Sequence, residues 1–140
     1  MSLQRIFRDF LIFKILPDDK KHVYIDFISS AANDHELFTI EETDELLADL
    51  FKIVDPLIEL CNIESRSFIV TVDMKDANPY IYKFTILSHI IKELHEHIQT
   101  DREDLTEQCN IKNAPKVIRI MFLALRLFIK PHFLKKIHFI

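Results

Sequence analysis

The sequence predicts an α/β domain built on a mostly parallel β-sheet with crossover helices. Three observations carry that reading. Strand-like and helix-like segments alternate in a β-α-β-α-β-α-β order, which implies right-handed crossovers and parallel pairing. The run Ser67–Met74 (SFIVTVDM) is near-continuously apolar, the pattern of a strand buried on both faces. Finally, 140 residues with 49% hydrophobic content are enough for one domain, residues 1–140, with a real core.

Taken in order, the opening segment Leu3–Leu16 precedes the alternation. It is apolar but carries Arg5, Arg8, Asp9 and Lys14, and it has no small-residue cleavage site, so it does not read as a secretory signal. His22–Phe27 (HVYIDF) follows the turn Pro17-Asp18-Asp19 and is rich in β-formers. Thr39-Ile40-Glu41-Glu42 has the form of a capping box, in which the Thr39 hydroxyl bonds the amide three residues on and Glu42 reaches back. The helix it opens runs to about Leu60, with Leu46, Leu47, Leu50, Ile53, Val54, Leu57 and Ile58 at helical spacing. Pro56 should kink or divide it. After Ser67–Met74, Asn78-Pro79 caps a second helix reaching about Gln99. An acidic loop, Asp101–Glu107, and a poor strand candidate, Cys109–Lys112, come next. A helix over Asn113–Lys130 and a short strand, Ile137–Ile140, close the chain.

The formal net charge is −4, unevenly spread. Residues 112–140 hold seven Lys/Arg and no acid, while the other 111 residues hold 11 Lys/Arg against 22 Asp/Glu. A basic, apolar end on an acidic body suits an anionic membrane surface or docking on that body. The basic residues sit inside an apolar helix without polar base-readers, which argues against nucleic acid. The chain has no glycine. That excludes a Walker loop, a dinucleotide fingerprint and a nucleophile elbow, each of which needs glycine for close approach or positive φ. Turns must use Asp and Asn instead, as at Asp76-Ala77-Asn78-Pro79. Cys61 and Cys109 form no metal-type pair, and two such thiols suggest a reducing cytoplasm.

Little in the sequence points to catalysis. His89, Glu93 and His97 share a helix face at spacings of four, which a metal could use, but there is no HExxH, no third ligand is evident from the sequence, and a solvated face explains them. Asp73 ends the best strand at its carboxyl edge, where α/β sites often lie; an Asp capping the next turn explains it equally. The reading is a non-enzyme with no cofactor, no catalytic residue and no metal.

The most distinctive stretch is Val117–Ile129, thirteen residues in which only Arg119 and Arg126 are polar. On a helix Arg119, Arg126 and Lys130 fall within about 20° of one line, so nearly the whole remaining cylinder is apolar. A core-facing helix needs a stripe only roughly 100° wide, so this one has surface for a second contact. It is too short and too charged to span a bilayer, which takes about 20 apolar residues.

At Asn113-Ala114-Pro115, followed by that helix, Lys130-Pro131 and Lys136-Ile137-His138, the sequence resembles the CRAL-TRIO lipid-binding family. This family includes tocopherol-, retinal- and phosphatidylinositol-transfer proteins. Phe68–Asp73 is similar to its central strand, and Phe38–Glu42 and His22–Phe27 fall in the expected order. Asp76 and Gln108 stand where the family has glycines, and the chain lacks the family's C-terminal end, so a truncated or divergent member is expected.

The resemblance implies a hydrophobic small molecule or phospholipid held in an apolar pocket under a gate helix at about residues 115–134, with the gate's outer face on a membrane. Phe68, Val70, Val72, Tyr82 and Phe84 would be wall residues. Ile120, Met121, Ala124, Leu125 and Phe128 would be gate contacts. Lys130, Lys135 and Lys136 would meet the membrane or a phosphoinositide, and Tyr80 and Tyr82 could bond a head group. The alternative is a degenerate domain without ligand, acting through protein interaction, with a homodimer formed along the Ile137–Ile140 edge.

Overall fold

The computed structural model describes residues 3–28, 40–76, 82–98, 105–125 and 131–140. Two strands, β1 (Leu3–Phe7) and β2 (Leu11–Ile15), form an antiparallel hairpin at the start. Arg8 and Asp9 turn it at φ 48° and 64°, left-handed values normally left to glycine. The sequence pattern did not predict this hairpin. Ile12 breaks the alternation that Leu11, Phe13 and Ile15 would otherwise show, and the turn lacks a usual hairpin dipeptide.

β3 (His22–Ile28) pairs antiparallel with β2, and parallel with β4 (Ser67–Asp73). β5 (Thr106–Lys112) and β6 (Ile137–Phe139) add on in parallel. The six-stranded sheet therefore has the order β1-β2-β3-β4-β5-β6 and is mostly parallel, as expected. β5 starts three residues earlier than the Cys109–Lys112 candidate. Its polar residues Glu107, Gln108 and Asn110 disguise it, while Thr106 and Cys109 are buried.

Helices α1 (Ile40–Glu64), α2 (Tyr82–Ile98), α3 (Lys116–Leu125) and α4 (Pro131–Leu134) make the crossovers. Right-handed connections between successive neighbouring strands put helices on one face of the sheet. The register identifies that face: Val23, Ile25 and Phe27 of β3 lie opposite Phe68, Val70 and Val72 of β4. Leu46, Leu50 and Val54 of α1 and Ile90, Leu94 and Ile98 of α2 complete the core there.

Pro56 neither ends nor divides α1, which runs through it to Glu64. Pro56 is exposed, so water can satisfy the carbonyl whose partner amide it lacks. The helix ends in a Schellman arrangement: Ser65 takes φ 56° and the Arg66 amide donates to the Cys61 carbonyl at 2.9 Å. Thr39 and Asn78-Pro79, the expected caps, lie outside the described residues.

Candidate functional site

The expected wall begins on β4. Because side chains alternate along a strand, Phe68, Val70 and Val72 share the helix-facing surface. Phe68 and Val72 are buried and Val70 is half-buried. Between this surface and α2 lies a cavity of about 30 Å³. Leu11, Ile25, Phe27, Val70, Val72, Thr106 and Cys109 line it from the strands, and Leu94, His95 and Ile98 from α2. The lining is almost wholly apolar. A single water needs roughly 10–15 Å³, so the space holds one or two small groups, against about 300–1,000 Å³ for a typical ligand pocket.

Of the expected wall residues, Val70 and Val72 line this cavity, and Phe68 packs in the core beside them. Tyr82 and Phe84 lie in the first turn of α2, where the structure describes the backbone only, and Tyr80 lies outside the described residues. The α2 contributors Leu94, His95 and Ile98 were not singled out from sequence. Their signal is the helical spacing of Ile90, Leu94 and Ile98 within α2, which points one face of that helix at the sheet.

The segment expected to form the gate starts from a well-anchored turn. Asn113 adopts φ 56°, and its side-chain amide donates to Asp73 Oδ1 at 3.0 Å. Asp73 Oδ1 also accepts the Lys75 amide at 3.0 Å. These bonds, Asn113 first, hold the Asp73 carboxyl below its ordinary range, helped by the nearby charges of Lys112 and Lys75. Asp73 is thus a turn-holding residue that ties the ends of β4 and β5 together. Pro115 then opens α3, its carbonyl accepting the Ile118 and Arg119 amides at 3.0 and 3.2 Å.

On α3, Ile118 is buried, and Phe122 meets Phe139 of β6 edge-to-face at 5.0 Å. The Arg119 guanidinium lies over the same Phe139 ring at 5.3 Å. Ile120, expected against the ligand, is 57% exposed, and Leu123 is 58% exposed. Lys116 and Arg119 are exposed on the same helix and Lys135 is exposed before β6, while Lys136, just ahead of β6, is half-buried. Met121, Ala124 and Leu125 lie on α3 with only their backbone described; Phe128 and Lys130 lie outside the described residues.

A second cavity, about 130 Å³, opens at the other edge of the sheet, lined by Arg5, Phe13, Lys14, Ile15, Ile53, Pro56 and Leu57. Arg5 is a charge on the helix-facing side of an edge strand, a placement that discourages edge-to-edge association.

The His89-Glu93-His97 face does not assemble as a ligand set. His97 stacks on Phe51 of α1, with ring centroids 3.8 Å apart, and its Nε2 meets Asp55 Oδ1 at 2.5 Å. It joins two helices. Among the described residues no group of three His, Cys, Asp or Glu could hold a metal. Burial pushes both the Cys61 and Cys109 thiols up to about 11. No helix among the described residues is long and apolar enough to cross a membrane.

A family model described as the CRAL/TRIO domain matches residues 13–140. No curated protein matches the chain.

Proposed function

The chain belongs to the CRAL/TRIO domain family, whose domains generally bind or transfer lipids without catalysis, and we propose that it carries a hydrophobic lipid between the helix-facing sheet surface and a gate over about residues 115–134. The observation that carries the proposal is the apolar cavity against Val70 and Val72. An acyl or isoprenoid chain would enlarge this cavity by displacing α2 and the gate from the sheet. Phe68, Val70 and Val72 form its floor, with Tyr82, Phe84, Met121, Ala124, Leu125 and Phe128 closing over the chain.

Ile120 and Leu123 take the outward role in this reading. Exposed on one helix with Lys116 and Arg119, they make an apolar point flanked by cations, suited to an anionic leaflet, to which the exposed Lys135 would add. In this reading Lys130 and Lys136 would also meet a lipid phosphate. The protein would act in the cytoplasm and visit membranes peripherally.

The small size of the cavity favours one other reading, a filled interior whose outer surface binds another protein or a second copy along the Ile137–Ile140 edge. Native mass spectrometry of the purified protein, followed by organic extraction, separates the two. A protein–lipid mass with an extractable lipid is the expected result. A ligand-free dimer that stays ligand-free after incubation with mixed lipid vesicles overturns it.

A further inference from the structure

At the amino edge of the parallel strands, opposite the Asp73 end, a histidine sits between two carboxylates. His22 Nδ1 faces Asp19 Oδ2 at 2.8 Å, and His22 Nε2 faces Glu107 Oε2 at 2.5 Å. The surrounding bonds fix both acids. Asp19 Oδ1 accepts the Lys21 and His22 amides at 2.8 and 3.1 Å, and Oδ2 accepts the Tyr24 hydroxyl. Ser67 Oγ donates to Glu107 at 3.4 Å. Arg66, from the α1–β4 connection, donates to the carbonyls of Asp19 and His22 at 3.1 and 3.0 Å, and its Nε is held by Glu64.

Glu107 reaches this position because β5 is irregular there. Phe68 pairs with Thr106 and Ile69 with Gln108, so Glu107 is the extra residue of a bulge. A bulge re-aims a side chain that regular alternation would send elsewhere. The residue on one side of it, Thr106, is buried and lines the inner cavity, and so does Cys109 two residues beyond.

A neutral imidazole has one N–H, so it can donate to one carboxylate and must turn a lone pair on the other. The doubly protonated ring is the form that suits this cluster. We propose that His22 is a proton-operated latch: protonated, it clamps the amino end of β5 to β3 through Glu107, and on losing its proton it frees Glu107 and loosens the Thr106 wall of the cavity. The bond to Asp19, and then the charges of Asp19 and Glu107, raise the His22 pKa above 6.5 against an opposing effect of burial. Asp19 is held ionised, chiefly by Tyr24, and Tyr24 is held protonated by Asp19, so both stay fixed while His22 titrates. The latch is therefore shut at low pH and opens as pH rises through the raised value. Its operation is independent of whether the cavity takes a lipid.

The Phe68 amide reports on the latch directly, because it donates to the Leu105 carbonyl at 2.7 Å, just before Thr106. The test combines NMR titration of the His22 ring with amide hydrogen exchange of the whole chain, over roughly pH 5 to 9. The expected result is a ring that titrates above 6.5. Protection at Phe68, corrected for intrinsic exchange, should fall about tenfold or more over the same range while Val72 stays constant. In Glu107→Gln, the ring should titrate lower and the Phe68 step should disappear. Protection that is flat across the wild-type titration overturns the proposal, and this reading does not depend on the variant folding. An identical step in Glu107→Gln overturns it as well.

Discussion

Replacing both Ile120 and Leu123 by serine should release the domain from anionic vesicles without unfolding it. These side chains are 57% and 58% exposed, so a little over half of each is available to a lipid surface. Full burial of such a residue contributes about 1.5–3 kcal/mol, so the exposed remainder is worth about 1–1.7 kcal/mol each and about 2–3 kcal/mol for the pair. That predicts binding weaker by about 30- to 150-fold. Lys116, Arg119 and Lys135 would each add roughly 1 kcal/mol near an anionic leaflet, a contribution that salt screens and the serine substitutions leave in place. The assay is co-sedimentation with phosphatidylserine-containing vesicles at low and high salt, with thermal melts in parallel. A double variant that melts like the parent and still binds vesicles equally well would refute the reasoning, and would place the membrane contact elsewhere.

Three further outcomes follow from single features. Ser65→Gly should stabilise the protein by about 1 kcal/mol, because it relieves a left-handed helix end; a thermal melt should show a rise of about 3 °C. Val70→Ile should fill about one methylene's worth of the inner cavity, stabilise the ligand-free protein by about 0.8 kcal/mol and reduce lipid loading, read by thermal melt and native mass spectrometry. Asp73→Asn tests the turn before the gate. The parent carboxyl lies below its ordinary value of 3.8, so its stabilisation is present above that value and is lost as pH falls through the lower folded one. The variant should lack that acid-dependent loss in denaturant titrations, and an unchanged slope would remove Asp73 from the account.

Much of the scaffold was legible from residue pattern. Ser67–Met74 reads as a central strand because it is a near-continuous apolar run, although only Phe68 and Val72, on the helix-facing side, are buried and the other face is half-buried. The α1 leucines read as a helix because they recur every three or four residues. The Asn113-Pro115 motif marks a turn for a local reason, the left-handed φ of 56° that Asn113 tolerates. What the pattern hid was long-range or irregular. The hairpin turns on Arg8, a residue without the usual left-handed preference. β5 begins at Thr106 inside a stretch that reads as an acidic loop, since a bulge interrupts its alternation. The exposure of Ile120 depends on which side of α3 meets β6, and near-uniform apolarity leaves no stripe to reveal that. His22 and Glu107 lie far apart in the chain, and only the parallel register brings them together.

In the sheet, spatial order equals chain order. Each strand can therefore be laid onto a neighbour that has already left the ribosome, and no later segment has to thread between earlier ones. β6, the outermost addition, is three residues long and pairs on one side only, so it is the strand with the fewest ladder bonds to break. Phe139 on that strand is what α3 rests against. The strand that supports α3 is thus the easiest of the described sheet to peel away, and under the proposed carrier role its local fraying would admit cargo while the five strands behind it stay assembled.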